Sequence, residues 1–341
     1  GRILVGGQFA SAGGQSRPNL ARVTASGAID VAPAVPNDRV NAIALQADGR
    51  IVIGGEFDSV GGSARVSVAR LLANGTLDPA FVAQVGPSAL GITALGVQAD
   101  GRIVVTGGFT TVAGQPRDGI ARLLADGSLD ATFVPPVLGG AVDALLVQPD
   151  GRVVIAGFLD DASSECGGYC VLRLGTSGAV DTGFAVTEVV GTVEHLARPA
   201  DGKVLVAGSF GALGTHATYF VGRLGTNGAP DTGFANTALR SSTITRIVPL
   251  ADGRIAIAGE MRWGTAGTSA DRIARLEANG ARDTSFAEPV LDSLIITAAL
   301  QPDQRLLVGG MFAQVAGQPR ARIARLTVGA LPDDVFENGF D

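Results

Sequence analysis

Three groups of residues in this 341-residue chain are of the types that chemistry needs. The first is aromatic and polar. Trp263, the single Trp, follows Arg262, and the two Tyr, Tyr169 and Tyr219, stand in corresponding stretches, Tyr219 near His216. Aromatic faces with a polar handle suit a sugar or a peptide. The second group is acidic: Asp160, Asp161 and Glu165. With loop carbonyls it could take Ca²⁺, a hard ion that wants oxygen ligands. The D-x-D-x-D-G spacing is absent, so a solvated acidic loop is the plainer reading. The third is Cys166 and Cys170, the only cysteines. A small local disulfide fits an oxidising compartment and is the preferred reading, with two unpaired thiols as the alternative. A metal site would need His195 or His216, and neither lies at motif spacing.

No catalytic constellation stands out. G-x-S-x-G, a Walker loop and H-E-x-x-H are all absent. His195 falls in a strand where it could face a channel, although a lone His in a strand is more often structural. Paired carboxylates for glycoside chemistry depend on a three-dimensional separation that a sequence does not show. The formal net charge is -6, so there is no overall basic footprint for nucleic acid. No apolar run approaches the roughly 18 residues of a membrane-spanning helix. The apolar share of 46% against 17% charged residues argues for a folded chain. The chain starts at Gly1, which suggests a processed product or a fragment.

What must position these residues is an internal repeat. Asp-Gly-Arg turns place Arg2, Arg50, Arg102, Arg152, Lys203, Arg254 and Arg305 about 51 residues apart. Lys203 is the only Lys, and Gln304 stands where the last copy should have Gly, so that turn should be strained or altered. The corresponding turns, 1–2, 48–50, 100–102, 150–152, 201–203, 252–254 and 303–305, divide 1–336 into seven repeats of one domain, leaving 337–341 as a tail. Each repeat reads as four strands. In the second, strand a is 40–45, b is 50–57, a Gly-rich loop runs 58–64, c is 66–72 and d is 76–82. Short β-branched and apolar runs punctuated by Gly, Asp and Asn argue for an all-β fold.

Turn chemistry sets a register. Pro149 before Asp150-Gly151 presets a type I turn, with Gly in the left-handed position that follows. The same three-residue loop at Ala73-Asn74-Gly75 would bring residues eight apart onto one sheet face. That predicts seven Arg–Asp pairs: Arg22–Asp30, Arg70–Asp78, Arg122–Asp130, Arg173–Asp181, Arg223–Asp231, Arg275–Asp283 and Arg325–Asp333. Phe81, Phe133, Phe184, Phe234, Phe286 and Phe336 each follow the Asp by three, and Phe9, Phe57, Phe109, Phe210 and Phe312 end strand b, which assigns them to packing between repeats.

Strands b, c and d occur seven times and a six times. A period near 50 with four strands per repeat implies a β-propeller. The expectation is seven four-stranded antiparallel blades around a channel, the first lacking its N-terminal strand, with an open arc if further repeats preceded it.

The pattern Gln-Pro-Asp-Gly-Arg…Gly-Gly…Phe…Gly-Gln-Pro-Arg…Ile-Ala-Arg-Leu…Asp-Gly-Ser-Leu-Asp…Phe resembles the delta-60 repeat, a bacterial β-propeller family, most closely at 98–133 and 301–336. Kelch propellers share the double Gly, but they carry a regular Tyr and Trp that this chain lacks. The delta-60 resemblance implies a large secreted or surface protein and leaves the biochemical role undefined. The end, 333–341, resembles an acidic Phe-Gly-Phe tail of some secreted Gram-negative proteins. Repeats four and five depart most from the pattern, with Ala156-Gly157 and Ala207-Gly208 in place of the double Gly. The b–c and d–a loops vary while the a–b and c–d turns do not, and variable loops on a rigid scaffold are where function is grafted. The expectation is a non-enzymatic extracellular, cell-surface or periplasmic propeller that binds a protein or glycan without a cofactor. A polysaccharide hydrolase or lyase with acids at the channel mouth, and a spacer in a longer protein, are the alternatives.

Overall fold

The computed structural model describes residues 2–30, 33–86, 90–161, 166–234, 236, 239–263 and 271–328, with only the backbone described at Asp161 and Ser241. Glu165, Asp333, Phe336, the last strand d and the tail 337–341 lie outside the described residues. Every described element is a β-strand. In the second repeat Val40–Leu45 pairs antiparallel with Ile51–Gly55, which pairs with Val68–Leu71. The same a-b-c order recurs in repeats three and seven, and with longer strands in repeat six (Leu239–Pro249, Ile255–Trp263, Asp271–Leu276). In the first repeat b and c, Ile3–Gly6 and Leu20–Val23, pair with each other, with no strand a among the described residues. The chain is an all-β, seven-bladed propeller. By internal contacts it forms two compact units, Gly1–Gly167 with Arg173–Asp181, and Gly168–Leu172 with Thr182–Phe340.

The turns follow from their residues. Leu72 and Thr76 close the c–d loop of blade two, Gly75 N–H donates to Leu72 O at 2.8 Å, and Gly75 has φ 93°. That is a type I turn with a Gly bulge. Gln304 adopts φ 63° and keeps the a–b geometry of its glycine counterparts, so the turn is strained but not rebuilt. Its side chain offsets part of that cost by accepting the Ala251 N–H at 3.3 Å.

Two features differ from the sequence reading. Strand d is a single bridge, such as Leu71↔Leu77 or Leu123↔Leu129. The Asp that follows accepts the N–H two residues on (Ala80, Thr132, Gly233 or Ser285) and turns the chain away from the sheet. The b–c segment of most blades is a miniature hairpin. In blade two Ser59–Val60 pairs with Ser63–Ala64 around Gly61 and Gly62, and buried Val60 bridges Pro36 of the preceding d–a loop. In blades four and six the described b strands run on to Asp161 and Trp263.

The core lies between blades. Ile51–Gly55 is buried throughout. Blade one's Leu20 joins Val40, Ile53, Phe57 and Leu71 of blade two in one cluster. In the second unit Val221 and Phe234 join Ile244, Ile257 and Met261. Burying each such side chain contributes about 1.5–3 kcal/mol. The double Gly divides into two roles. A Cβ on Gly55 would lie 2.0 Å from the Arg39 carbonyl oxygen, and one on Gly157 2.0 Å from that of Ala141. A Cβ on the first Gly in blades one and two, Gly6 or Gly54, would meet side chains of the next blade, and Ala156, Ala207 and Ala258 replace it elsewhere.

Candidate functional site

The repeated charges form a structural network. Arg Nε to Asp Oδ2 distances are 3.0 Å for Arg22–Asp30, 2.8 Å for Arg70–Asp78, Arg122–Asp130, Arg173–Asp181 and Arg223–Asp231, and 2.6 Å for Arg275–Asp283. Asp333, the partner expected for Arg325, lies outside the described residues. The turn cations join the same carboxylates: Arg2 on Asp30, Arg102 on Asp130, Lys203 on Asp231 and Arg254 on Asp283. Most of these arginines also lie over the Phe three residues past their Asp, 4.7 Å from its ring centre for Arg70 and Arg122.

Five of these arginines then reach forward. Arg22 Nη1 donates to Ala73 O at 2.9 Å, Arg122 to Thr176 O at 2.7 Å and Arg223 to Ala278 O at 2.7 Å, while Arg70 and Arg275 reach Ala125 O and Val328 O. Every acceptor is in the next blade's c–d turn. Burial alone would raise the carboxyl of Asp78, but the Ala80 N–H and Arg70 outweigh it and hold the group below its ordinary range. Lys203 and then Arg223 do the same for Asp231.

Blade six breaks the pattern. Trp263 ends its long b strand and is half-buried against the core of blades five and six. The Arg282 guanidinium lies 4.5 Å from the Trp263 ring centre. Arg282 Nη2 also contacts Asp271 Oδ2 at 3.0 Å and Glu288 Oε2 at 2.6 Å. Burial pushes Glu288 up to about 7; Arg282 opposes the shift, while the Asp271 charge and a hydrogen bond between the two carboxyl groups add to it. Glu288 therefore keeps its proton well above the ordinary carboxylate range. Trp263 Nε1 and Glu288 Oε1 are buried without a hydrogen-bond partner among the described residues. Beside them, Arg262 and Arg272 flank Glu260 at 3.5 and 3.2 Å.

The other expected residues are dispersed. Tyr219 is exposed in blade five and stands 6.3 Å from Phe220, centre to centre, with no ring contact to Trp263. Tyr169 and Tyr219 occupy the repeat position that Asp271 fills in blade six, four residues before the blade's Arg. His216 sits in the miniature hairpin of blade five, paired with Leu213, with Nε2 buried and unpartnered among the described residues. Cys166 and Cys170 are disulfide-bonded and buried. Asp160 is described, but Glu165 and the Asp161 side chain are not, and no group of three His, Cys, Asp or Glu converges among the described residues. Arg17, Arg65, Arg117 and Arg320 each donate to the carbonyl of the preceding residue.

Arg282, Asp271 and Glu288 were not singled out by motif. Their signal is columnar. Arg282 occupies the bridge position held elsewhere by Ile29, Leu77, Leu129, Val180 and Pro230. Glu288 occupies that of Val35, Ala83, Pro135, Val186 and Asn236. Charges at apolar columns become visible only when the repeats are laid under one another.

The fold and its charged ladder define a repeat β-propeller whose blades four to six depart from the common pattern. The chain belongs to the family described as "domain of unknown function (DUF5122) beta-propeller", whose model matches residues 1–32, 46–81, 98–133, 148–184, 200–234, 250–286 and 301–328. This agrees with the delta-60 resemblance. No curated protein matches. Among solved structures, a protein from Lactobacillus plantarum is similar at 13% identity, covering 99% of this chain and 95% of that one, with a TM-score of 0.59. The WD40 β-propeller domain of Doa1 is similar at 12% identity, covering 91% and 86%, with a TM-score of 0.55. At these identities the likeness is one of fold.

Proposed function

We propose that this propeller is a binding scaffold whose ligand surface lies at the b–c and d–a segments of blade six, centred on Trp263 and Arg282. The observation that carries the reading is the substitution of Arg282 into an apolar repeat position, and of Glu288 into an otherwise uncharged one, beside the only Trp. A scaffold that needed only to fold would keep the apolar residues that serve its other blades. The Arg282–Trp263 stack, with two carboxyl groups behind it, presents a fixed cation on an aromatic plate, suited to a glycan or an extended peptide. The Cys166–Cys170 bond supports an extracellular or periplasmic location.

Glycan and peptide arrays test the proposal. Binding by the intact chain should fall at least tenfold in Trp263→Ala and be untouched by Tyr219→Ala. Equal loss in both variants would move the site to blade five, and no binding on any array would favour a structural spacer. A second reading, acid–base chemistry on a polysaccharide, is supported by the raised carboxyl of Glu288 beside Asp271. Turnover of array-positive glycans that disappears in Glu288→Gln while binding persists would establish it.

A further inference from the structure

The first strands of blades two to seven share a bulge at one fixed repeat position, and those of blades five and six carry a second register shift nearer their start. The register shifts between Val40 and Ala42, Ile92 and Ala94, Val142 and Ala144, Val193 and His195, Ile244 and Arg246, and Ile295 and Thr297. A bulge re-aims the side chain that follows it, and such positions recur beside functional sites. In blades two, three, four and seven that side chain is small: Ala42, Ala94, Ala144 and Thr297. In blades five and six it is His195 and Arg246. The two stand side by side, because His195 Nδ1 accepts the N–H of Ile247, next to Arg246, at 3.4 Å.

That hydrogen bond fixes the neutral imidazole with its proton on Nε2. Nε2–H thus remains a donor, and no partner for it exists among the described residues. Arg246 is partly buried and makes one hydrogen bond, from Nη1 to Thr245 O at 2.7 Å. Glu194, the bulge residue of blade five, lies close enough to favour the charged guanidinium but forms no ion pair with it; the Glu194 carboxylate accepts the Thr192 hydroxyl at 3.4 Å. Burial disfavours the charge on Arg246, and burial with Arg246 holds His195 down to about 3. A metal cation is unfavourable beside Arg246. Exposed Glu194 offsets the cost of burying this guanidinium only at a distance, without an ion pair, whereas an oxyanion supplies both a direct charge and paired acceptors.

We infer that His195 and Arg246 form an oxyanion-binding site on the first strands of blades five and six, taking a carboxylate, sulfate or phosphate group through the Arg246 guanidinium and His195 Nε2–H. The site is separate from the Trp263 cluster and does not depend on it.

His195 and His216 are the only histidines, so both imidazoles can be followed by proton–nitrogen NMR, with His216 as the internal reference. The intact protein is titrated with inorganic phosphate, sulfate and glucuronate, each against sodium chloride at matched ionic strength. The expected result is a saturable shift of the His195 nitrogens with at least one of these oxyanions. Saturation by glucuronate alone would indicate a carboxylate ligand, and by phosphate or sulfate alone a tetrahedral one. Arg246→Gln should weaken binding at least tenfold, and Arg246→Lys, which keeps the charge and loses the planar fork, should weaken it several-fold. Shifts that never saturate, that chloride reproduces, or that survive unchanged in Arg246→Lys would overturn the site.

Discussion

Near neutral pH Glu288 is at the midpoint of its own titration, with Asp271 and Arg282 as its immediate neighbours. Its folded value of about 7 lies above the ordinary 4.5. The unfolded chain therefore releases the proton first. The stabilisation is complete below the ordinary value and is lost as pH rises through about 7. Glu288→Gln keeps a neutral group of the same shape and removes the titration. In thermal melts, the wild type should lose more stability than Glu288→Gln between about pH 5 and about pH 8. Parallel curves would show that the carboxyl pair shares no proton. The buried Asp residues carry the opposite sign. Asp78, Asp130, Asp231 and Asp283 are held below their ordinary range, so their contribution is present above it and is lost only on strong acidification.

Individual elements separate local chemistry from tertiary demand. Gly157→Ala would drive a Cβ to 2.0 Å from the Ala141 carbonyl, which is held in place by the peptide bond to Val142, the residue paired with Gly157 itself. Gly54→Ala would meet the Ile92 and Leu95 side chains instead, which can shift, as other blades with Ala at that column indicate. By chemical denaturation, Gly157→Ala should cost about 3 kcal/mol or more and Gly54→Ala about 1 kcal/mol or less. Equal costs would refute the division of labour. The Asp-Gly-Arg and Asn74-Gly75 turns were legible because their chemistry is contained in three or four residues, and the Arg–Asp register followed from counting the loop. The shortness of strand d was not legible. It depends on an Asp that serves a guanidinium and its own backbone at once, as Asp78 does through Oδ2 and Oδ1. The miniature hairpins had a signal in Gly61-Gly62, a hairpin dipeptide that a loop-like composition masked. The Arg282–Trp263–Glu288 cluster brings together residues 25 positions apart whose meaning lies in the columns they occupy.

Within each compact unit the forward reach of Arg22, Arg70, Arg122, Arg223 and Arg275 couples neighbouring blades. The acceptor is a main-chain carbonyl, which carries no sequence signature, so this coupling had to be seen. It can be broken without touching either side chain. Inserting two residues into the c–d turn of blade three, at Asp126-Gly127, moves Ala125 O away from Arg70 while Arg70 stays buried. A hydrogen bond to a charged group contributes about 1.5–3 kcal/mol. Hydrogen exchange should therefore lose protection in Ile51–Gly55 and Val68–Leu71 of blade two as well as in blade three. Loss confined to blade three would show that the blades are energetically independent.

The same direction of reach has a consequence for the order of assembly on the ribosome. The acceptor for Arg22 lies 51 residues downstream, that for Arg122 54 and that for Arg223 55. At about 5–20 residues per second, each guanidinium waits roughly 3–10 s after its own synthesis for the turn that completes it. A nascent blade can close its own Arg–Asp contact at once but is sealed only by its successor. The interval favours a chain that folds from the N-terminus in steps of one repeat, each step leaving one cation exposed until the next turn arrives.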